Sequence, residues 1–448
     1  MKKWVVAAGT VFLVIALAIF IWAAWYVIGI PETHEEYKPG EIVYVSADTA
    51  GNTGAAGKNA ENSTESVVDD TADWSTAGEA SNITVKAQNA AEILVADMGA
   101  GINIGNALDS CNWNSRFYMD ANMETYETTW GNPKITPGVF RLVSNAGFNT
   151  VRIPVTWMNH IDKDGNVDEA WLKRVGTVVN DALEQDLYVI IDIHHDTGND
   201  GWIRASDTNY SENEKRVRNM ITQIANYFKD YDQKLILEGF NEMVDEKSRW
   251  AKVPGYSYRA FNKWNQLFVD TVRETGGGNE SRFLLVNLYS ATPNDRNVAY
   301  FALPKDTIDG RLLVGVHIYS GPEGLDDVFD AVKTIRKSGY PVVVGEFGQV
   351  ATAKFDRVKY CEEFREKALE QNLSFIWWDN GGSASTAAGV KEYALIHRAD
   401  NTWYFPEIAG AITGTAVEQP EPDEGSVSDD NGDPMDQKEL SENSVILN

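Results

Sequence analysis

Residues 234–242 read Lys-Leu-Ile-Leu-Glu-Gly-Phe-Asn-Glu, and residues 341–348 read Pro-Val-Val-Val-Gly-Glu-Phe-Gly. Each is a short apolar run that stops on a glutamate, Glu242 in the first and Glu346 in the second. The same event, an apolar run ending on a polar or aromatic side chain, occurs eight times. We read strands over Ala100–Gly105, Asn149–Pro154, Tyr188–Ile193, Lys234–Phe240, Phe283–Val286, Leu312–Val316, Pro341–Gly345 and Leu373–Trp377. The third has five apolar residues to one aspartate, as a parallel strand covered on both faces requires. Helical periodicity fills most of the gaps, at Leu172–Leu183, Arg216–Phe228, Tyr258–Glu274, Asp326–Lys337 and Phe355–Glu370. Between the fifth and sixth strands, Asn294–Phe301 offers only about two turns. Eight strands alternating with helices predict an α/β fold, the (β/α)8 TIM barrel, with its chemistry at the C-terminal strand ends. A doubly wound sheet would want a glycine-rich phosphate loop after the first strand. Here Gly99-Ala100-Gly101 precedes that strand, and Asn103-Ile104-Gly105-Asn106 lacks the fingerprint.

The 448 residues exceed one barrel. Lys2 and Lys3 precede an uncharged run from Trp4 to Ile30, and Glu32, Glu35 and Glu36 follow it. As a helix that run would span roughly 40 Å, enough to cross a bilayer core with tilt. Basic residues before it and acidic ones after it orient the bulk outside. We expect residues 1–30 to be a single-pass membrane anchor, with the remainder extracellular; the alternative is a secreted protein after signal cleavage. Residues 31–82, rich in Gly, Ala, Ser, Thr and Asn, read as a flexible linker, and 83–415 as the catalytic barrel. Residues 416–448 read as a disordered tail. From Val417 onward it holds ten acidic residues and one lysine, a third of the net charge of −27. The acidity that remains on the barrel excludes nucleic acid as a partner and suits a neutral substrate. The two cysteines, Cys111 and Cys361, are expected to stay unpaired, and no zinc-type spacing is present.

The strand ends carry the chemistry. Strands four and seven face each other across a barrel mouth, so Glu242 and Glu346 are expected to share a cleft. Two such carboxylates fit glycoside hydrolysis, one as nucleophile and one as proton donor. They must differ in protonation, and Arg152 at the end of strand two is the natural cation to hold the nucleophile ionised. Asp192-Ile193-His194-His195-Asp196 ends strand three and Val316-His317-Ile318-Tyr319 ends strand six. These groups can orient carboxylates and sugar hydroxyls. Trp377-Trp378-Asp379-Asn380 ends strand eight, and Trp113, Trp130, Trp157 and Trp202 lie in loops; their flat faces suit pyranose rings.

Together these motifs resemble glycoside hydrolase family 5, over residues 83–415. The carriers are Asn103-Ile104-Gly105-Asn106, Glu127-Thr128-Thr129-Trp130-Gly131-Asn132-Pro133, Val151-Arg152-Ile153-Pro154-Val155, His194-His195, Asn241-Glu242, His317-Ile318-Tyr319, Gly345-Glu346-Phe347-Gly348 and Trp377-Trp378-Asp379-Asn380. The loop with Trp130-Gly131-Asn132-Pro133 looks like the bacterial endoglucanase and xyloglucanase branch. The resemblance implies Glu346 as nucleophile and Glu242 as acid/base, with Asn241 on the 2-hydroxyl of the cleaved sugar. It implies Arg152 and Tyr319 against the nucleophile, His317 near the acid/base, His194 with His195 beside it on strand three, and Trp378 as the sugar platform. Where the family usually has Pro or Val after the acid/base, this chain has Met243.

The expected function is thus a retaining endo-β-1,4-glucanase, without cofactor or metal, acting as a monomer on β-glucan. Xyloglucanase, lichenase and β-mannanase are alternatives on the same fold. The catalytic set is Glu242, Glu346, Arg152, His194, Asn241, His317 and Tyr319. The substrate-binding set is Asn106, His195, Trp130, Trp157, Trp378, Asp379 and Asn380. Two other classes are weighed: a metal-dependent barrel hydrolase built on His194, His195, His317 and Glu242, and a non-catalytic glycan-binding protein. Against the first, strand one carries Asn103 and Asn106 where a His-x-His pair would be needed.

Overall fold

The computed structural model describes residues 83–117, 123–381 and 393–420. The expected membrane helix and linker lie outside the described residues, as does the acidic tail beyond 420. Among the described residues no helix is long and apolar enough to cross a membrane.

Eight parallel strands close into a barrel in sequential order. They are β1 Ala100–Asn103, β2 Thr150–Ile153, β3 Tyr188–Ile193, β4 Leu235–Phe240, β5 Leu284–Asn287, β6 Leu312–Ile318, β7 Val342–Phe347 and β8 Ser374–Trp377. Among the described residues ten α-helices accompany them: α1 Ile83–Met98, α2 Met123–Thr128, α3 Pro137–Asn145, α4 Glu169–Leu183, α5 Asp207–Phe228, α6 Gly255–Glu274, α7 Asp295–Tyr300, α8 Leu325–Lys337, α9 Arg357–Glu370 and α10 Pro406–Thr413. A two-residue hairpin, β9 Ile396–His397 with β10 Thr402–Trp403, precedes α10. Helix starts follow their caps. The Asp168 carboxylate accepts from the Ala170 and Trp171 amides at the start of α4, and Ser206 Oγ accepts from the Asn209 amide at the start of α5. That cap begins α5 nine residues before the first residue of the expected helix, because the opening turns carry few apolar side chains to set a period.

The barrel interior is layered. Ile190, Ile236, Leu285, Leu313, Val343 and Ile376 pack together with Leu94, Val95 and Met98 of α1. Two residues further along β3 to β7, on the same face by strand alternation, stand Asp192, Glu238, Asn287, Gly315 and Gly345. The interior therefore changes from apolar to polar within one step toward the C-terminal ends. Gly315 is required there, because a Cβ would lie 1.9 Å from Asn287 Oδ1.

Ladder irregularities concentrate at the same end. Register shifts fall between Ile191 and Ile193, between Val316 and His317, and between Val344 and Phe347. Such bulges re-aim side chains and are common beside active sites. Past its shift β6 resumes pairing, with His317 opposite Glu346 and Ile318 opposite Phe347. These strands thus run two residues beyond the expected ends, and His317 and Glu346 stand on rigid ladder. Cys111 and Cys361 are buried free thiols.

Candidate active site

The polar layer is organised by one guanidinium. Arg152 is fully buried. Its Nε and Nη2 donate to both oxygens of Glu238 (2.7 and 2.9 Å). Nη2 also donates to Asp192 Oδ2 (2.7 Å) and Asn241 Oδ1 (2.9 Å). Nη1 donates to Glu346 Oε1 (2.9 Å) and Asn103 Oδ1 (3.1 Å). Asn287 Nδ2 donates to Glu238 Oε1 (2.7 Å), and Asn103 Nδ2 donates to the Gly345 and Trp377 carbonyls. Five strands are tied to one planar cation, which fixes Asn241 and Glu346 at the base of the cleft.

Glu242 and Glu346 meet above this platform. With His317 they form a trio whose donor atoms lie within 4.8 Å of one another. His317 Nδ1 is 2.8 Å from Glu242 Oε1 and 3.4 Å from Glu346 Oε2. The Tyr319 hydroxyl donates to Glu346 Oε2 (2.7 Å). Both Glu346 oxygens are thus engaged, whereas the Glu242 side chain is 24% exposed. Retaining glycosidases hold their carboxyls about 5–5.5 Å apart and inverting ones about 6.5–9.5 Å; oxygens within 4.8 Å put this pair on the short, retaining side.

Protonation is governed jointly by the trio. Burial pushes the Glu346 carboxyl up against the pull of the His317 and Arg152 charges, and the Glu242 charge adds to the rise. Arg152 therefore acts on Glu346 in the expected direction but is outweighed. Burial also lifts Glu242, yet the His317 hydrogen bond and charge bring it below its ordinary value. His317 is held up by Glu346 and Glu242 in spite of its burial. These opposite shifts favour the proton on the His317 side of the 2.8 Å His317–Glu242 contact. His317 Nε2 is buried and has no hydrogen-bond partner among the described residues. Burial beside the two carboxylates raises the Tyr319 hydroxyl far above its usual range, so it remains a donor.

His194 Nδ1 lies 2.6 Å from Asp192 Oδ2, and burial drives the ring far below its usual pKa, leaving it neutral. Asp192 itself is raised to about 6 by burial, against the Arg152 charge. Trp378 stacks on His194 with centroids 5.6 Å apart and planes 6° from parallel. Gly105 makes this position possible, because a Cβ there would lie 2.7 Å from the Trp378 ring. The His195 ring contacts Trp113 and Trp130, each at 5.3 Å. A cleft lined by His194, His195, Asn241, Glu242, Tyr319, Glu346 and Trp378 joins these groups.

Four expected sugar-binding residues lie elsewhere. Trp157 is buried, its indole donating to the Asp192 carbonyl (3.1 Å), and it props the third strand from behind. Asp379 is fully buried and fastens the loop after β8, accepting from the Gly381, Leu395 and Ile396 amides and from Arg398. Asn380 belongs to the same fastening, its carbonyl accepting from Asn132 Nδ2 and its Oδ1 from the Tyr393 amide. Asn106 turns the chain after β1 in a left-handed conformation (φ 54°), its carbonyl also held by Asn132.

Two residues outside the expected set carry weight. Glu238 is the charge inside an otherwise uncharged strand, and that interruption marks an inward polar layer. Trp250, 39% exposed, lines the cleft on the side of Asn199 and Asp200, with its indole donating to Asn199 Oδ1 (2.8 Å). It sits in an irregular loop with no periodicity to reveal it.

The model of the cellulase family, glycosyl hydrolase family 5, matches residues 114–384. The cellulase/esterase CelE of Acetivibrio thermocellus is 34% identical over 72% of this chain, which spans 40% of that relative's length. Endoglucanase A of Clostridium longisporum is 32% identical over 74% of this chain, which spans 66% of it. A broad-specificity endoglucanase from Ruminococcus champanellensis, solved with bound cellotriose, superposes with a TM-score of 0.67 at 31% identity, covering 72% of this chain and 98% of that one. Family model, relatives and barrel agree: the chain belongs to glycosyl hydrolase family 5.

Proposed function

We propose that the chain is a retaining endo-β-1,4-glucanase that cleaves soluble β-glucan by double displacement. The observation that supports this best is the approach of Glu242 and Glu346 carboxylate oxygens to within 4.8 Å. Glu346 is the nucleophile: Arg152 and Tyr319 aim its two oxygens, and both donors favour the anion once sugar excludes water. Glu242 is the acid/base. Proton transfer from His317 Nδ1 to Glu242 makes the acid, which protonates the leaving oxygen. The resulting carboxylate then takes a proton from the water that attacks the glycosyl-enzyme. Asn241, held by Arg152, is positioned for the 2-hydroxyl, and Trp378 forms the platform under the same ring. An open cleft flanked by Trp113 and Trp130 on one side and Trp250 on the other suits attack within a chain. The cellotriose bound to the Ruminococcus enzyme supports a β-1,4-glucan over a mannan.

The test separates the two glutamates. Glu242→Gln should reduce kcat on polymer by about 10³-fold, the scale of general acid catalysis. On an aryl cellobioside with an acidic leaving group the glycosylation step should be nearly unaffected, and azide should restore turnover. Equal loss on both substrates overturns the assignment. We also propose that residues 1–30 anchor the enzyme, with the barrel outside the cell and monomeric; the charge pattern flanking Trp4–Ile30 supports it. Recovery of full-length chain in the soluble fraction contradicts the anchor.

A further inference from the structure

A second cluster includes two of the cleft-lining histidines. Asp109, His194 and His195 each place one donor atom within 4.8 Å of the others. Asp109 is fully buried. Its Oδ1 accepts from the Ala107 amide (2.8 Å), but Oδ2 is buried without a hydrogen-bond partner among the described residues. His195 Nε2 lies 3.6 Å from it. A carboxylate oxygen held out of water and left unmet costs about 1–3 kcal/mol, so its persistence asks for a ligand.

We propose that Asp109 Oδ2, His195 Nε2 and His194 form a binding site for a borderline divalent cation, zinc being the reference ion. Two bonds of about 2.1 Å at a tetrahedral angle span about 3.4 Å, close to the 3.6 Å between the Asp109 and His195 donors. The donor set, two imidazoles and one carboxylate, is that of sites with an open coordination position. The outer sphere is also in place. Asp192 holds His194 by Nδ1 at 2.6 Å, the carboxylate–histidine arrangement that orients metal-bound imidazoles, so Nε2 is the nitrogen available to an ion. The Thr156 hydroxyl, which donates to the Asp109 carbonyl, pins the loop.

The catalytic trio is a poorer host. Both Glu346 oxygens are taken, one by the Arg152 cation, and His317 Nδ1 is committed to Glu242. Among the described residues no lysine or arginine bonds Asp109. An ion at the Asp109 site occupies the floor formed by His194, His195, Trp113, Trp130 and Trp378, so it excludes sugar. This last step rests on the proposed glucan cleft; metal binding itself does not.

The experiment uses the full chain, stripped by chelation, with Co²⁺ as an optical probe and Zn²⁺ as the inhibitor. We expect a visible cobalt absorption band that saturates at one equivalent and is displaced by Zn²⁺. Zn²⁺ at ten times its dissociation constant should raise KM on soluble β-glucan about elevenfold with kcat unchanged. Asp109→Asn preserves the shape and the Ala107 contact, and His195→Gln keeps a polar group of similar reach. Each, checked for folding by circular dichroism, should lose the band and weaken Zn²⁺ binding at least about tenfold. Absence of the band, or its survival in both variants, overturns the site. Binding that leaves KM unchanged keeps the ion site but overturns the placement of glucan over these histidines.

Discussion

Glu346→Gln is expected to lower kcat on β-glucan by at least about 10⁴-fold, roughly 5.4 kcal/mol of transition-state stabilisation. The substitution is nearly isosteric. Its carbonyl oxygen still accepts from Arg152 Nη1, and the Tyr319 hydroxyl can rotate to accept from the new amide. The fold and the cleft should persist, so unfolding temperature and cellotetraose binding should stay near the parent values. What is lost is a carboxylate that can bond to the anomeric carbon. Because among the described residues no second carboxylate bonds both Arg152 and Tyr319, no neighbour can substitute. A variant that retains one-tenth of the parent rate on polymer contradicts the assignment.

The second large effect is on stability. Arg152→Met removes the cation shared by Asp192, Glu238 and Glu346, all with side chains at most 6% exposed. Breaking buried pairs while leaving their partners costs about 3–5 kcal/mol, which lowers Tm on the order of 10 °C. The loss should depend on pH, and its sign follows from Asp192. Burial already raises that carboxyl to about 6 with the arginine present. A group raised in the folded state stabilises fully below its unfolded pKa and loses that contribution as pH rises through the folded value. Without Arg152 the folded Asp192 and Glu346 carboxyls rise further, so the deficit grows with pH. Thermal melts should show a larger difference between variant and parent at pH 8 than at pH 5. Equal differences at both pH values would mean that Arg152 acts through packing alone.

Much of the barrel is legible because parallel strands covered on both faces need predominantly apolar runs. The chain supplies eight of them, and all eight strands form within a residue or two of the expected spans. Glu242 and Glu346 are legible for the same reason, since each ends such a run and the topology brings the ends together. The rule that strand ends face the cleft fails where an end also anchors a loop. Asp379 follows β8 but spends its oxygens on three backbone amides and Arg398. A carboxylate serving amides and one serving sugar look alike in sequence. Trp157 fails differently: an aromatic near a strand end can turn inward or outward, and the Asp192 carbonyl that takes its indole proton turns it inward. Glu238 announces itself as a charge in a buried strand, but its partner Arg152 is 86 residues away and only barrel closure joins them. Trp250 and Asp109 lie in irregular segments, where position is set by long-range contacts. The net protonation of the trio is equally invisible, because it depends on how burial, Arg152 and His317 balance at one point.

The measurement that tests the double displacement most directly is covalent trapping. A 2-deoxy-2-fluoro-β-cellobioside with a dinitrophenyl leaving group should inactivate the enzyme with release of one equivalent of dinitrophenolate. Mass spectrometry of the digest should then place the sugar on the peptide carrying Glu346. An adduct on Glu242, or no adduct together with products released first as the α-anomer, would contradict it.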